Sequence, residues 1–366
     1  MRPADKPFDL VISAVEASGD ALAASLVDAL GSLRNIRVRG VAGPLMRAAG
    51  VDPIAPVEDV ASNGLWEVIS NLGAIRQASW ALMDSIKREG ADLVVFVDGP
   101  DFHLPLAKRC RKLGIPTVGY VGPQVWAWRA GRAKTLAESL DRLLCLFPFE
   151  PEIYAPHGLD ARFVGHPAVD RLAGIRRVPR PGRFALLPGS RKHEVERLLP
   201  VFLEAAEVIR ETDPGAQFRV GRSATVPLEW LGAAEAAEGV EVVDGLVAAV
   251  TDAKAALTAS GTASLELAIL DVPMVIAYAV HPVTYAAGRV LVTGVEHIGL
   301  PNILAGEEIV PEHIQALDPV ALAADLARVG DDATVQAGLV DVRNALGEAG
   351  GPDRAARALL DLLPAG

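Results

Sequence analysis

Four side chains of this sequence stand where chemistry could be done. Asp98 closes the apolar run 93–97 and is followed by a Gly-Pro pair, so a strand-like segment ends in a carboxylate. Glu16, in SAVEASGD, holds the same station after the apolar stretch 8–14. Acids at strand ends in an α/β chain lie on the carboxyl edge of the sheet, where such folds bind ligands. A carboxylate there can act as a general base on a hydroxyl. Arg191, in LLPGSRKHE, and Glu266, in TASGTASLE, occupy two further strand-to-helix loops. Gly189, Ser190 and Arg191 stand just before one helix, while Gly261, Thr262 and Ala263 would present free N–H groups at the start of another, a natural anion site. An arginine beside free amides, with an acid one turn into the helix, suits a nucleoside diphosphate, the acid accepting hydrogen bonds from the ribose.

Plainer readings stand beside these. Ser18 and Asp20 are placed to cap the helix after Glu16, and Asp101 to cap the one after Asp98. Gly19 would let the backbone approach a ligand, but the loop lacks GxGxxG, which disfavours a nicotinamide dinucleotide. A capping box opening at Thr262 needs Glu or Gln at the third following position and finds Leu265. The Gly-Lys-Ser/Thr of a P-loop is absent. YVGPQVWAWRAGR (120–132) offers Gln124, Trp126 and Arg129 either as half-buried core or as a platform for a sugar ring or acyl chain. From Leu65, apolar residues recur at Trp66, Val68, Ile69, Leu72, Ile75, Trp80 and Met83, flanked by Arg76, Lys87 and Arg88. That stripe is either core or a face that dips into a lipid headgroup layer.

Strand-like runs at 8–14, 37–41, 93–97, 117–121 and 143–147 alternate with helical segments, which predicts a parallel sheet covered on both faces. The pattern lapses in RLAGIRRVPRPGR (171–183), read as a linker. It restarts with strands at 184–187, 218–220, 240–243, 255–258 and 274–277 and helices at 194–210 and 263–270. The expected fold is α/β, with two Rossmann-like domains, 1–170 and 184–345, facing across a cleft. A last helix in 346–366 could pack on either. The net charge of −11 argues against nucleic acid, whose phosphates call for a basic face. Two cysteines, Cys110 and Cys145, without CxxC spacing, and seven scattered histidines suggest neither disulfide framework nor metal cage. No apolar run reaches the roughly 18 residues of a bilayer span, and the N-terminus has no signal-peptide layout. This is the layout of a two-domain, metal-independent glycosyltransferase.

With these residues assembled, the chain resembles the lipid-A-disaccharide synthase family nearly end to end. The resemblance rests on EASGD (16–20), GVAGPLM (40–46), NGLWEV (63–68), DGPDF (98–102), GPQVWAW (122–128), FPFEPEIY (147–154), FVGHP (163–167), LPGSR (187–191), ASGTASLE (259–266), LPNILAG (300–306) and VPE (310–312). It implies a GT-B fold and an inverting transfer from UDP-2,3-diacylglucosamine to the 6-hydroxyl of 2,3-diacylglucosamine 1-phosphate, without metal or cofactor. It also implies peripheral binding to the cytoplasmic face of the inner membrane, a C-terminal segment that crosses back to the first domain, and a homodimer that can exchange it. Asp98 is then the expected base with Glu16 as rival or helper, Arg191 and the 261–263 amides hold the diphosphate, Glu266 the ribose, and Asn302 is an active-site amide. Gln124, Trp126, Ser18 and Gly19 would line the cleft, and Leu65, Trp66, Val68, Ile69 and Leu72 would touch lipid. Gly122 and Gly299 stand where members often have Ser, Glu307 where an Arg is common, and Asn63 where Met is frequent. The rival readings are another UDP-sugar transferase, a UDP-N-acetylglucosamine epimerase, or a non-catalytic nucleotide-sugar binding module.

Overall fold

The computed structural model describes residues 7–59, 72–123, 125, 131–280 and 296–362. Its chain forms two compact units, Met1–Asp170 with Glu348–Gly366, and Arg171–Gly347.

In the first unit β1 (Phe8–Ala14), β2 (Ile36–Ala42), β3 (Asp52–Pro56), β4 (Leu93–Val97), β5 (Thr117–Tyr120), β6 (Arg142–Cys145) and β7 (Asp160–Phe163) form one sheet. Its order is β3-β2-β1-β4-β5-β6-β7, and all pairings are parallel. β4, LVVFV, is buried at every position, as expected of a strand covered on both faces. The edge strands are less apolar, and sequence reading misses both. β3, DPIAP, carries two prolines, which have no N–H for the ladder and are tolerated at an edge. Asp98 therefore follows the fourth strand of the chain, not the third. Helix α1 (Ala17–Leu33) covers the sheet with Leu22, Leu26 and Leu30, four residues apart on one face. After it come α2 (Pro44–Ala48), α3 (Leu72–Glu89) and α4 (Pro100–Lys112).

The second unit repeats the scheme with β8 (Arg183–Leu187), β9 (Gln217–Arg222), β10 (Val240–Asp244), β11 (Ala255–Ala259), β12 (Met274–Tyr278) and β13 (Glu312–Ile314). Its order is β10-β9-β8-β11-β12-β13, again parallel throughout. α5 (Lys192–Thr212) follows β8, α6 (Thr262–Ile269) follows β11, and α7 (Leu300–Ala305) precedes β13. The segment read as a linker is fastened to this unit. Arg177 donates to the carbonyls of Val250 (3.3 Å), Ala253 (2.6 Å), Leu270 (3.3 Å) and Asp271 (2.5 Å), and Val178 N–H donates to Thr251 O at 2.9 Å. An apolar periodicity cannot reveal a segment docked through backbone and guanidinium bonds.

The last helix, α8 (Gly351–Leu360), belongs to the first unit and packs on α1. Asp170 accepts from the N–H groups of Gly350 (2.6 Å) and Gly351 (3.3 Å), and Arg142 donates to the Ala358 carbonyl.

Each sheet has one place where the order reverses, β1/β4 in the first unit and β8/β11 in the second. There the crossovers leave for opposite faces and open a crevice outside the carboxyl ends of the strands.

Candidate active site

Both predicted acids of the first unit lie at its reversal point. Ala14 pairs with Val97, so the loops bearing Glu16 and Asp98 leave side by side. The turn after β4 is tight, with Asp98 at φ 53° and Gly99 at φ 50°. A Cβ on Gly99 would lie 2.1 Å from Cγ2 of Val15, so only glycine fits. Asp98 is a non-glycine residue in the left-handed region, a conformation that needs external support. That support is visible. Its N–H donates to Tyr120 O at 2.9 Å, its Oδ1 accepts from Gly99 N–H at 2.7 Å, and its carbonyl lies 2.6 Å from His103 Nδ1. His103 Nε2 in turn lies 2.9 Å from the Ser13 hydroxyl. Since a carbonyl only accepts, Nδ1 carries the proton and Nε2 accepts from Ser13. His103 is only 2% exposed, and burial pushes its pKa down to about 4, so the ring is neutral.

Glu16 occupies the N-cap position of α1, yet its side chain makes no capping bond. Partial burial and, next, the charge of Asp98 raise its pKa above the usual glutamate value. Both causes disfavour the charged form of Glu16, the first by desolvation and the second by like charge. Ser18 is exposed at the same helix start, and Gly19 is buried, with a built Cβ 3.4 Å from Ala14 Cβ. Asp20 does not cap its own helix. Its buried carboxylate takes the N–H groups of Gly43 (2.9 Å), Leu45 (2.9 Å) and Met46 (3.1 Å), fixing the GVAGPLM loop. Asp101 is likewise no cap, for it stands exposed in the first turn of α4 and pairs with Arg132 at 2.5 Å.

In the second unit Thr258 pairs with Leu187, which brings the loops carrying Arg191 and Gly261–Ala263 side by side at the other reversal point. Gly261 (φ 148°) is the N-cap of α6, and it and Thr262 are exposed. The N–H groups of Gly261, Thr262 and Ala263 have no hydrogen-bond partner among the described residues. Ser190 is placed differently from the expectation. Its N–H and that of Arg191 both donate to Glu194 Oε2, at 2.9 and 3.1 Å, so these amides are closed to an anion. The Arg191 guanidinium, 2.9 Å from Glu194 Oε1 and largely exposed, is what this loop can offer. Glu266, one turn into α6, pairs with Arg171 at 2.6 Å.

Asn302 is the clearest departure from expectation. It is fully buried, its Nδ2 donates to Val310 O (2.9 Å) and Glu312 Oε1 (2.8 Å), and its Oδ1 accepts from Ile309 N–H (2.9 Å) and Val310 N–H (3.0 Å). With both ends occupied it braces the 298–310 loop rather than facing a ligand. Glu150 and Glu312 also take backbone N–H groups. The motif acids thus divide by what their oxygens do: Asp20, Glu150 and Glu312 brace loops through backbone N–H groups, Asp98 takes only the N–H of the next residue, and Glu16 and Glu266 take no backbone N–H among the described residues. The glycine departures have a local cause. A Cβ at Gly122 would meet the Tyr154 hydroxyl at 2.7 Å, and at Gly299 it would meet Ile276 Cδ1 at 2.3 Å. Glu307 is exposed.

Gln124, Trp126, Leu65, Trp66, Val68 and Ile69 lie outside the described residues, as does the side chain of Leu72, although α3 begins there. Sequence reading missed His103, Ser13 and Arg171. One signal was present, since Ser13 is a polar residue inside an apolar strand and a buried hydroxyl needs a partner. A separate depression of about 280 Å³ opens near the amino ends of β8–β10, but its arginines Arg183 and Arg219 are both held by Asp252, at 2.5 and 2.6 Å. Among the described residues no group of three His, Cys, Asp or Glu could hold a metal ion.

Comparison with known proteins bears on the fold and the family. The model of the lipid-A-disaccharide synthetase family matches residues 10–326. A lipid-A-disaccharide synthase of Geobacter metallireducens is 39% identical over 373 residues, covering 97% of each chain. Among solved structures, the glycotransferase of kitacinnamycin shares the fold at TM-score 0.65 and 19% identity, covering 98% of this chain and all (100%) of that one. So does a UDP-GlcNAc 2-epimerase of Methanocaldococcus jannaschii solved with UDP-GlcNAc and UDP, at TM-score 0.57 and 12% identity, covering 97% and 100%. At such identities the structural likeness establishes the GT-B architecture alone. The family match and the relative's identity along almost the whole chain go further, and the chain belongs to the family of lipid-A-disaccharide synthases.

Proposed function

We propose that this hexosyltransferase moves 2,3-diacylglucosamine from its UDP donor to the 6-hydroxyl of 2,3-diacylglucosamine 1-phosphate with inversion. The products are a β-1′,6-linked disaccharide 1-phosphate and UDP. The observation that carries the reading is the placement of one acid pair, Glu16 and Asp98, at the β1/β4 reversal, and of open amides with Arg191 and Glu266 at the β8/β11 reversal. Asp98 takes the proton of the acceptor hydroxyl as its oxygen bonds the anomeric carbon, and the bond from that carbon to UDP breaks with its electron pair on the diphosphate. The Gly261–Ala263 amides and Arg191 stabilise the charge that grows there. Glu266 exchanges its Arg171 partner for the ribose hydroxyls. Glu16, beside Asp98 at the same strand ends, is the rival or helper for the role of base.

The same reading includes peripheral docking on the anionic lipid surface of the inner membrane. No helix among the described residues is long and apolar enough to cross a membrane. The predicted stripe divides along α3: Met83 is buried, Ile75 is half-buried and Trp80 is 69% exposed, while Ala78, Leu82 and Ile86, outside that stripe, face the core. Trp80 lines a groove of about 420 Å³ between α3 and α4 together with Arg76, Lys87 and Arg109. These three cations have no ion-pair partner among the described residues, whereas the acids of the groove are paired, Asp84 with Arg88 (3.4 Å) and Asp101 with Arg132 (2.5 Å). A net cationic groove with a protruding indole suits a headgroup layer.

Incubating the protein with labelled UDP-2,3-diacylglucosamine and the acceptor decides the main reading. Formation of a disaccharide with one UDP released per bond supports it. Epimerised donor without disaccharide would favour the epimerase reading that the shared fold leaves open.

A further inference from the structure

We propose that His103 is a positioning residue for the transfer, a buried clamp that joins Ser13 to the main chain of Asp98 and thereby aims the Asp98 carboxylate. The inference rests on Asp98 being the base. Asp98 and Gly99 form two successive left-handed residues, and this corner is the place where β4 hands over to α4. The handover is held at three points, the Tyr120 carbonyl on the Asp98 N–H, the Asp98 carboxylate on the Gly99 N–H, and His103 on the Asp98 carbonyl. The third is the only one made by a side chain other than that of Asp98 itself. If it is removed, the peptide between Asp98 and Gly99 is held only through its N–H to the Asp98 carboxylate, so it can rotate, and the carboxylate bonded to it rotates with it.

The clamp is built to be stiff. His103 sits on the inner face of α4, its own N–H donates to Gly99 O at 3.1 Å, and its ring lies between Phe96 and Phe102, each centroid 5.1 Å away. Ser13 on β1 is fully buried and pairs in the sheet with Phe96. The chain of bonds therefore runs from the strand that bears Glu16, through the imidazole, to the strand end that bears Asp98. It ties the two acids' elements together beneath the site without touching a substrate. Its burial keeps the ring neutral, which leaves a single direction for the bonds, Ser13 to His103 to Asp98.

Imidazole geometry supplies the test. Nδ1 is bonded to Cγ, the same position as the amide nitrogen of asparagine, whereas glutamine places its amide one atom farther out, near Nε2. His103→Asn can therefore still donate to the Asp98 carbonyl, while His103→Gln reaches toward Ser13 and His103→Leu does neither. Steady-state kinetics of the full chain should show kcat within about threefold of the parent for His103→Asn, and a loss of about 10- to 100-fold for His103→Gln and His103→Leu, the size expected when a reacting group is displaced by about 1 Å. Calorimetry should show UDP binding unchanged in all three. In the Asp98→Ala background, His103→Leu should add no further loss, because the clamp acts only through that residue. Equal activity of Asn, Gln and Leu variants, or a loss that multiplies with Asp98→Ala, would overturn the positioning role while leaving the base assignment intact. A parent-like Asp98→Ala would overturn both.

Discussion

Gly99→Ala probes the corner that carries Asp98 without removing any functional group. The added methyl meets two separate costs. A left-handed backbone, φ 50° here, costs an L-residue roughly 1–2 kcal/mol. The new Cβ would also sit 2.1 Å from Val15 Cγ2, and Val15 is buried, so the neighbours must move at a further cost of about 1–3 kcal/mol. The sum, about 2–5 kcal/mol, corresponds to a fall in Tm on the order of 5–15 °C for a unit of this size. Val15→Ala removes the obstructing methyl group but not the backbone cost. In differential scanning calorimetry the double variant should therefore be more stable than the sum of the single effects by about 1–3 kcal/mol. The folded fraction of Gly99→Ala should bind UDP normally but turn over slowly, since the carboxylate next door has shifted. Strict additivity with Val15→Ala, or a Gly99→Ala protein as stable and active as the parent, would refute this reasoning.

Other outcomes follow from the same geometry. The depressed His103 pKa, about 4 against 6.5 unfolded, means that the unfolded chain binds a proton the folded one refuses; its contribution is complete above pH 6.5 and about 3 kcal/mol is lost as pH falls toward 4, a dependence His103→Asn should lack in pH-resolved unfolding. Glu16 has the opposite sign, since its raised folded pKa disfavours the folded state as pH rises through it, so Glu16→Gln should raise Tm at pH 7 but not at pH 4. Glu266→Ala should weaken UDP binding about 10- to 100-fold by calorimetry, the loss of charged hydrogen bonds; unchanged affinity would remove it from the ribose. Cys110, whose thiol burial pushes up to about 11, and buried Cys145 should resist a thiol reagent in the native protein and both react after unfolding, as a colorimetric count would show.

The two sheets were legible because their central strands are buried on both faces and so appear as apolar runs, β4 and β11 above all. Edge strands such as β3 and β13 carry half-exposed, mixed residues and give no such signal. Asp98, Glu16 and the Gly261–Ala263 loop could be placed from spacing alone, since a residue just past a central strand must lie at the carboxyl edge. Which motif residues brace loops could not. Asp20 satisfies backbone groups 23 to 26 residues away and Asn302 groups 7 and 8 residues away across a loop, and only the folded chain shows those partners. His103 was hidden for the same reason, its hydroxyl partner being 90 residues away on β1.

The central claim is that the carboxylate of Asp98 removes the acceptor proton and takes no part in holding the nucleotide. It is tested most directly by measuring kcat and UDP affinity together in purified, folded Asp98→Asn. The account predicts a fall in kcat of roughly 10²–10⁴ with UDP binding unchanged. Turnover within a few-fold of the parent, or a loss of UDP binding that matches the loss of rate, would contradict it.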